Sequence, residues 1–154
     1  MAKARPVDLD PQMTFAQAAA VTVTTRSHEL FVCADRVLDT DDIERVHDMR
    51  VASRRLRAAL EVFEPCFPRP EHRDLLREVK QLADALGKRR DPDVQIAALT
   101  KLRAELPADD HPGVDLLIER ARGQQADGNV ALREALEGAL THDLRGRLEE
   151  LARP

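Results

Sequence analysis

Val46-His47-Asp48-Met49-Arg50-Val51-Ala52-Ser53-Arg54-Arg55-Leu56-Arg57-Ala58-Ala59-Leu60-Glu61-Val62-Phe63 is the stretch whose reading decides the fold. At about 100° per residue, Met49, Ala52, Leu56, Ala59, Leu60 and Phe63 share one broad apolar face, the signature of an amphipathic helix. His47, Arg50, Arg54 and Arg57 share an adjacent stripe about 80° wide, stacked one helical turn apart. Only Glu61 joins that stripe, one turn beyond Arg57. A solvated face usually mixes Lys with Glu at pairing distances. Here the residue is almost always Arg, whose planar fork suits bidentate contact with phosphate.

Outward from this helix the chain reads as helix after helix. Thr14-Phe15-Ala16-Gln17 forms a capping box and starts a first helix expected to reach residue 38. Its β-branched Val21-Thr22-Val23-Thr24-Thr25 run is too short and isolated for a strand. Asp41 with Glu44 resembles a second capping box, opening a helix over 42–64. Pro65, Pro68 and Pro70 break it, and Pro70 can begin a third helix ending near residue 86. Gly87 is expected to stop that helix, and Asp91-Pro92-Asp93 to start a fourth that runs to 106. A polar loop spans 107–112. A fifth helical segment covers 113–140, with Gly123 and Gly128 as weak points. Residues 144–151 form a short last helix or a continuation. The expected fold class is therefore all-α: an antiparallel bundle of about five helices, with 1–10 as a flexible N-terminus and 11–152 as a single domain.

The bulk composition agrees. The chain has 154 residues, 34% charged and 43% hydrophobic, with no Trp or Tyr. That is helix-forming composition in a chain long enough for one core. No window is apolar enough for a membrane span, and the first residues lead into no signal core, so a cytoplasmic protein is expected. Cys33 and Cys66 read as small apolar residues in a reducing compartment. The net charge is −4, unevenly placed. Between residues 45 and 90, twelve basic residues stand against seven acidic ones, while the remainder holds twelve basic and twenty-one acidic. One basic third in an acidic protein suits capture of a compact polyanion better than non-specific duplex binding.

Two stretches together resemble the CHAD domain family, the conserved histidine α-helical domain. The first is the 46–63 helix. The second is Leu86-Gly87-Lys88-Arg89-Arg90-Asp91-Pro92-Asp93-Val94. The resemblance anchors residues 41–95. It implies an all-helical protein that binds inorganic polyphosphate through a basic surface, without catalysis of its own and without a cofactor, although family members occur fused to triphosphate-hydrolysing domains. Carried over by position, His47, Arg50, Arg54 and Arg57 match the basic row. Lys80 matches a basic position before the glycine, and Arg90 the Arg of the Arg-Asp pair. Arg55, Arg77 and Arg89 are further candidate anion contacts. The departure is length: a full domain has two four-helix halves, each with its own His/Arg helix, and nothing after residue 95 repeats the first motif. A homodimer that rebuilds two halves is the expected assembly.

The row from His47 to Arg57 spans about 15 Å, which suits an extended anion better than one orthophosphate. The five histidines are expected to hold no metal, and Asp84, Asp91 and Asp93 are discounted as acid/base carboxylates because two of them read as helix starts. No Gly-rich phosphate loop, nucleophile elbow or redox Cys pair is present. Two other function classes stay open: nucleic-acid binding, opposed by net acidity and missing aromatics, and a helical protein-interaction module using the same basic helix.

Overall fold

The computed structural model describes residues 3–153. Five α-helices follow one another: α1 Phe15–Val32, α2 Glu44–Val62, α3 Arg69–Glu105, α4 His111–Thr141 and α5 Leu144–Leu151. Single turns of 3-10 helix, Glu64–Cys66 and Ala108–Asp110, precede α3 and α4. No strand occurs among the described residues. The all-α bundle stands as expected, with its helices divided differently.

α1 begins at the expected capping box. The Gln17 N–H donates to Thr14 Oγ1 at 3.2 Å, and the Thr14 N–H donates to Gln17 Oε1 at 2.9 Å. The β-branched run stays helical, and its Thr22 and Thr25 hydroxyls are satisfied within the helix, donating to the carbonyls of Ala18 and Val21 at 2.7 and 2.8 Å. The helix ends at Val32 rather than at residue 38. Residues 33–38 form turns through Arg36, whose φ of 52° is left-handed. This reversal returns Val37 to the core, where it is buried. Within residues 1–10, the Arg5 N–H donates to Glu29, and the Arg5 carbonyl accepts from Arg26 at 3.1 Å.

α2 lacks the expected side-chain cap. The Asp42 carboxylate accepts from Arg45 Nε at 2.9 Å instead, and Ile43 occupies the cap position. Its apolar face is as read from the sequence: Met49, Ala52, Leu56, Ala59 and Leu60 are all buried.

The main correction concerns α3. Gly87 does not end a helix, and Asp91 does not cap one. Arg69–Glu105 is one continuous helix of 37 residues, about 55 Å long. Pro92 lies inside it and is buried. Proline removes the N–H that would bond the Lys88 carbonyl. That carbonyl faces Gly128 of α4 so closely that a Cβ there would sit 3.0 Å from its oxygen. The carbonyl that the proline leaves without an intrahelical donor thus lies where the two helices approach most closely. Packing against α4 on both sides of Pro92, from Arg89–Asn129 to Arg103–Asp115, supplies the stability that local propensity lacks.

α3 and α4 form a long antiparallel hairpin, as the cross-pairs Arg89–Asn129, Asp93–Gln125 and Arg103–Asp115 show. On α4, Val114, Ile118, Ala121, Gln125, Gly128 and Leu132 alternate at four and three residues, a heptad seam against α3. α2 runs antiparallel to both neighbours: the Phe15 and Phe63 rings meet tilted at 49° with centroids 5.0 Å apart, while Lys80 meets Glu61 and Arg90 meets Ile43. α5 is capped by Asp143, which accepts from the Gly146 N–H at 3.1 Å, and packs back against α1, α3 and α4. The core joins Val23 and Leu30 of α1, Met49, Leu56 and Leu60 of α2, Leu75, Val79, Leu82 and Leu86 of α3, Leu132 of α4, and Leu144 and Leu148 of α5. Val114, Ile118 and Ala121 are buried outside that cluster, within the far half of the hairpin. Cys33 and Cys66 are free and half-buried.

Candidate anion-binding surface

α2 turns its apolar face into the bundle, so the stripe beside that face must emerge along its junction with α3. The junction is built by close approach. A Cβ on Gly87 would lie 4.0 Å from Arg50 Nε, so the Arg50 side chain runs across the small residue of α3. This gives Gly87 a packing reason in place of the helix stop.

The α3 side supplies the two remaining cations. Lys80 Nζ lies 3.3 Å from Glu61 Oε1, and Arg57 Nε lies 2.9 Å from the same oxygen. At the other end, Arg90 NH1 donates to the Ile43 carbonyl at 3.3 Å, and Arg90 NH2 lies 3.9 Å from Glu44. Arg90 is only 17% exposed, held at the first turn of α2 one turn from His47. His47, Arg50, Arg54 and Arg57 thus share one stripe of α2, and tertiary contacts across 19 to 47 residues bring Lys80, Gly87 and Arg90 of α3 alongside it. His47 and Arg50 are half-buried, while Arg54 and Arg57 are exposed.

Among the described residues, neither Arg50 nor Arg54 has a carboxylate within ion-pair distance. Arg57 and Lys80 share one. Their hydrogen bonds and charges hold the Glu61 carboxyl below its ordinary pKa, the Arg57 hydrogen bond most of all and against the effect of burial. The centre of the row is electrostatically open, and one end is already neutralised.

The three further candidates separate. Arg77 is exposed one turn before Lys80 and pairs with Asp74 at 3.2 Å. Arg55 points the other way, toward α1, with NH1 3.9 Å from Glu29. Arg89 is a correction: it is 0% exposed and sits in the α3–α4 seam, not on the border. Its Nε donates to Asn129 Oδ1 at 2.6 Å, and its NH1 pairs with the buried Asp93 carboxylate. Gln125 donates to the same carboxylate at 2.7 Å, and Asn129 Nδ2 donates to the Leu38 carbonyl at 3.0 Å. Arg89 NH2 and Asp93 Oδ2 are buried without hydrogen-bond partners among the described residues. Arg89 and Arg90 are successive residues about 100° apart on one helix, and only the position of α4 decides which is interior.

Asp93 is therefore the counter-ion of a buried layer rather than a helix-start residue. Its free oxygen lies 4.0 Å from Arg90 NH1. No sequence pattern marked this role, because partners at positions 89, 125 and 129 meet only in the folded hairpin. The expectation that the histidines hold no metal overlooks one spacing: Glu44 stands three residues before His47. Glu44, His47 and Asp48 bring ligand atoms within 4.8 Å of one another. The positive end of the α2 dipole and the Arg90 guanidinium beside Glu44 both oppose a cation there, so the cluster by itself assigns none.

Among the described residues, no helix is long and apolar enough to cross a membrane. In comparison with known proteins, no curated protein and no solved structure matches the chain. The model of the CHAD domain matches residues 22–154, a span that includes α2, the whole α3–α4 hairpin and α5. With the basic α2 helix and the Gly87–Asp93 segment both inside that span, the chain belongs to the CHAD domain family.

Proposed function

We propose that this protein binds inorganic polyphosphate along the α2–α3 border and performs no catalysis of its own. The observation that carries the reading is the pair Arg50 and Arg54, adjacent on one stripe with no carboxylate partner among the described residues, in a chain of net charge −4. A protein with acid to spare has left these two guanidinium groups unneutralised. Their forks suit successive phosphates, and Lys80 and Arg90 flank them from α3. His47 is the additional donor at the Arg90 end. Each charged hydrogen bond contributes on the order of 1.5–3 kcal/mol, less where water screens it, so several in series reach micromolar binding after entropy losses. We place the protein in the cytoplasm and read a symmetric homodimer as the assembly that doubles this surface. The exposed Val94, Leu102, Leu116 and Leu117 along the hairpin support an association of that kind.

Calorimetry with long-chain polyphosphate tests the reading, using wild type and Arg50→Ala/Arg54→Ala at two salt concentrations. Binding that weakens with salt and is lost in the double variant supports it. If a folded wild type leaves long-chain polyphosphate unbound, or binds mass-matched DNA as tightly, the reading fails and the interaction module or the nucleic-acid class replaces it.

A further inference from the structure

We infer that Glu61 is a resident counter-anion that sets how far along the row a bound polyanion extends, and thereby the chain length this surface prefers. The inference rests on the polyphosphate reading and adds a residue that reading does not contain.

The geometry is asymmetric. Arg50 and Arg54 carry no carboxylate partner among the described residues. Arg57 and Lys80, from different helices, converge on a single oxygen, Glu61 Oε1, at 2.9 and 3.3 Å. Glu61 lies one turn beyond Arg57, on the line of the row itself, so its carboxylate sits where the next phosphate of an extended anion would go. The three side chains are 40–44% exposed, so the carboxylate can swing into water without breaking the core.

A short anion fills the open Arg50–Arg54 segment and leaves Glu61 in place. A long anion continues past Arg54, and its tethered phosphates reach Arg57 and Lys80 at high effective concentration. It engages them only by displacing Glu61. The carboxylate therefore costs the long ligand affinity and costs the short one almost nothing. Removing its charge while keeping its shape lengthens the usable row.

The test compares wild type with Glu61→Gln for two probes, long-chain polyphosphate and pyrophosphate, by calorimetry at several salt concentrations. Glu137→Gln, an exposed position on α4, controls for net charge. In Glu61→Gln, long-chain binding tightens about fivefold, the scale of exposed ion pairs released to the ligand. Its salt dependence steepens by about 0.7 in the log–log slope per added phosphate contact. Pyrophosphate binding changes less than about twofold, and Glu137→Gln changes neither probe by more than that. Equal gains for both probes, or a matching gain in Glu137→Gln, reduce Glu61 to a general charge effect and overturn the inference. An unchanged long-chain affinity in Glu61→Gln, with wild type still binding through Arg50 and Arg54, overturns it while leaving the polyphosphate reading intact. Absence of binding in both proteins overturns both.

Discussion

Gly128→Ala opposes two effects of known size at one position. Gly128 lies in the interior of α4, where local propensity favours Ala by about 1 kcal/mol. The tertiary contact points the other way. A Cβ at Gly128 would lie 2.9 Å from Arg89 Cα, 3.0 Å from the Lys88 carbonyl oxygen and 3.3 Å from Arg89 N. All three are backbone atoms of α3, so no side chain can swing aside, and the hairpin has to open locally. Overpacking of this kind costs about 1–3 kcal/mol. The rigid neighbours place this site in the upper part of that range. The movement also strains the Arg89–Asn129 hydrogen bond. The net expectation is a loss of about 1–2 kcal/mol after the propensity gain. In a chain of this size that lowers Tm by about 2–8 °C. Gly123→Ala is the matched comparison: same helix, same substitution, and nothing within 4 Å of the added Cβ. There only propensity acts, and stability should rise by about 0.5–1 kcal/mol. Urea unfolding of both variants with the wild-type m-value gives the two signs directly. A Gly128→Ala protein as stable as Gly123→Ala would refute the close-approach account of the hairpin, and with it the reason given for the unbroken α3.

The buried layer behind Arg90 yields a second expectation. Asp93→Ala leaves the Arg89 guanidinium buried without its counter-ion and costs about 3–5 kcal/mol in urea unfolding, whereas Arg89→Met/Asp93→Leu recovers much of that loss, because a buried pair is expensive chiefly when half of it remains. A third concerns acid stability. Burial by itself would raise the Glu29 carboxyl pKa, but hydrogen bonds from Arg26 and the Arg5 N–H, with the charges of Arg26 and Arg55, hold it below its ordinary value of 4.5. A folded-state pKa below the unfolded one contributes stability above about pH 4.5 that is lost as the pH falls through the folded value. Thermal melts from pH 6 to pH 3 should therefore show a shallower acid decline in Glu29→Gln than in wild type, and parallel curves would remove Glu29 from the account.

What the chain determined by itself is whatever depends on neighbours three or four residues away. The faces of α2, its Arg row and the Thr14–Gln17 box are all legible, because helical period and capping are local. The same locality misled at Gly87 and Asp91. Each has the chemistry of a helix end, yet α3 runs through both, since continuous packing on α4 outweighs a glycine and a proline. Residues 33–38 carry a helical apolar stripe but turn back through the left-handed Arg36, a reversal that buries Val37 in a core assembled from distant helices. The site divides along the same line. That His47, Arg50, Arg54 and Arg57 align followed from spacing alone. That Lys80 lands on Glu61, that Arg90 meets the first turn of α2 and that Arg89 disappears into the hairpin followed only from where α3 and α4 lie. A rotation of about 100° separates two successive arginines on one helix, and no pattern within that helix says which side a partner 40 residues away will cover.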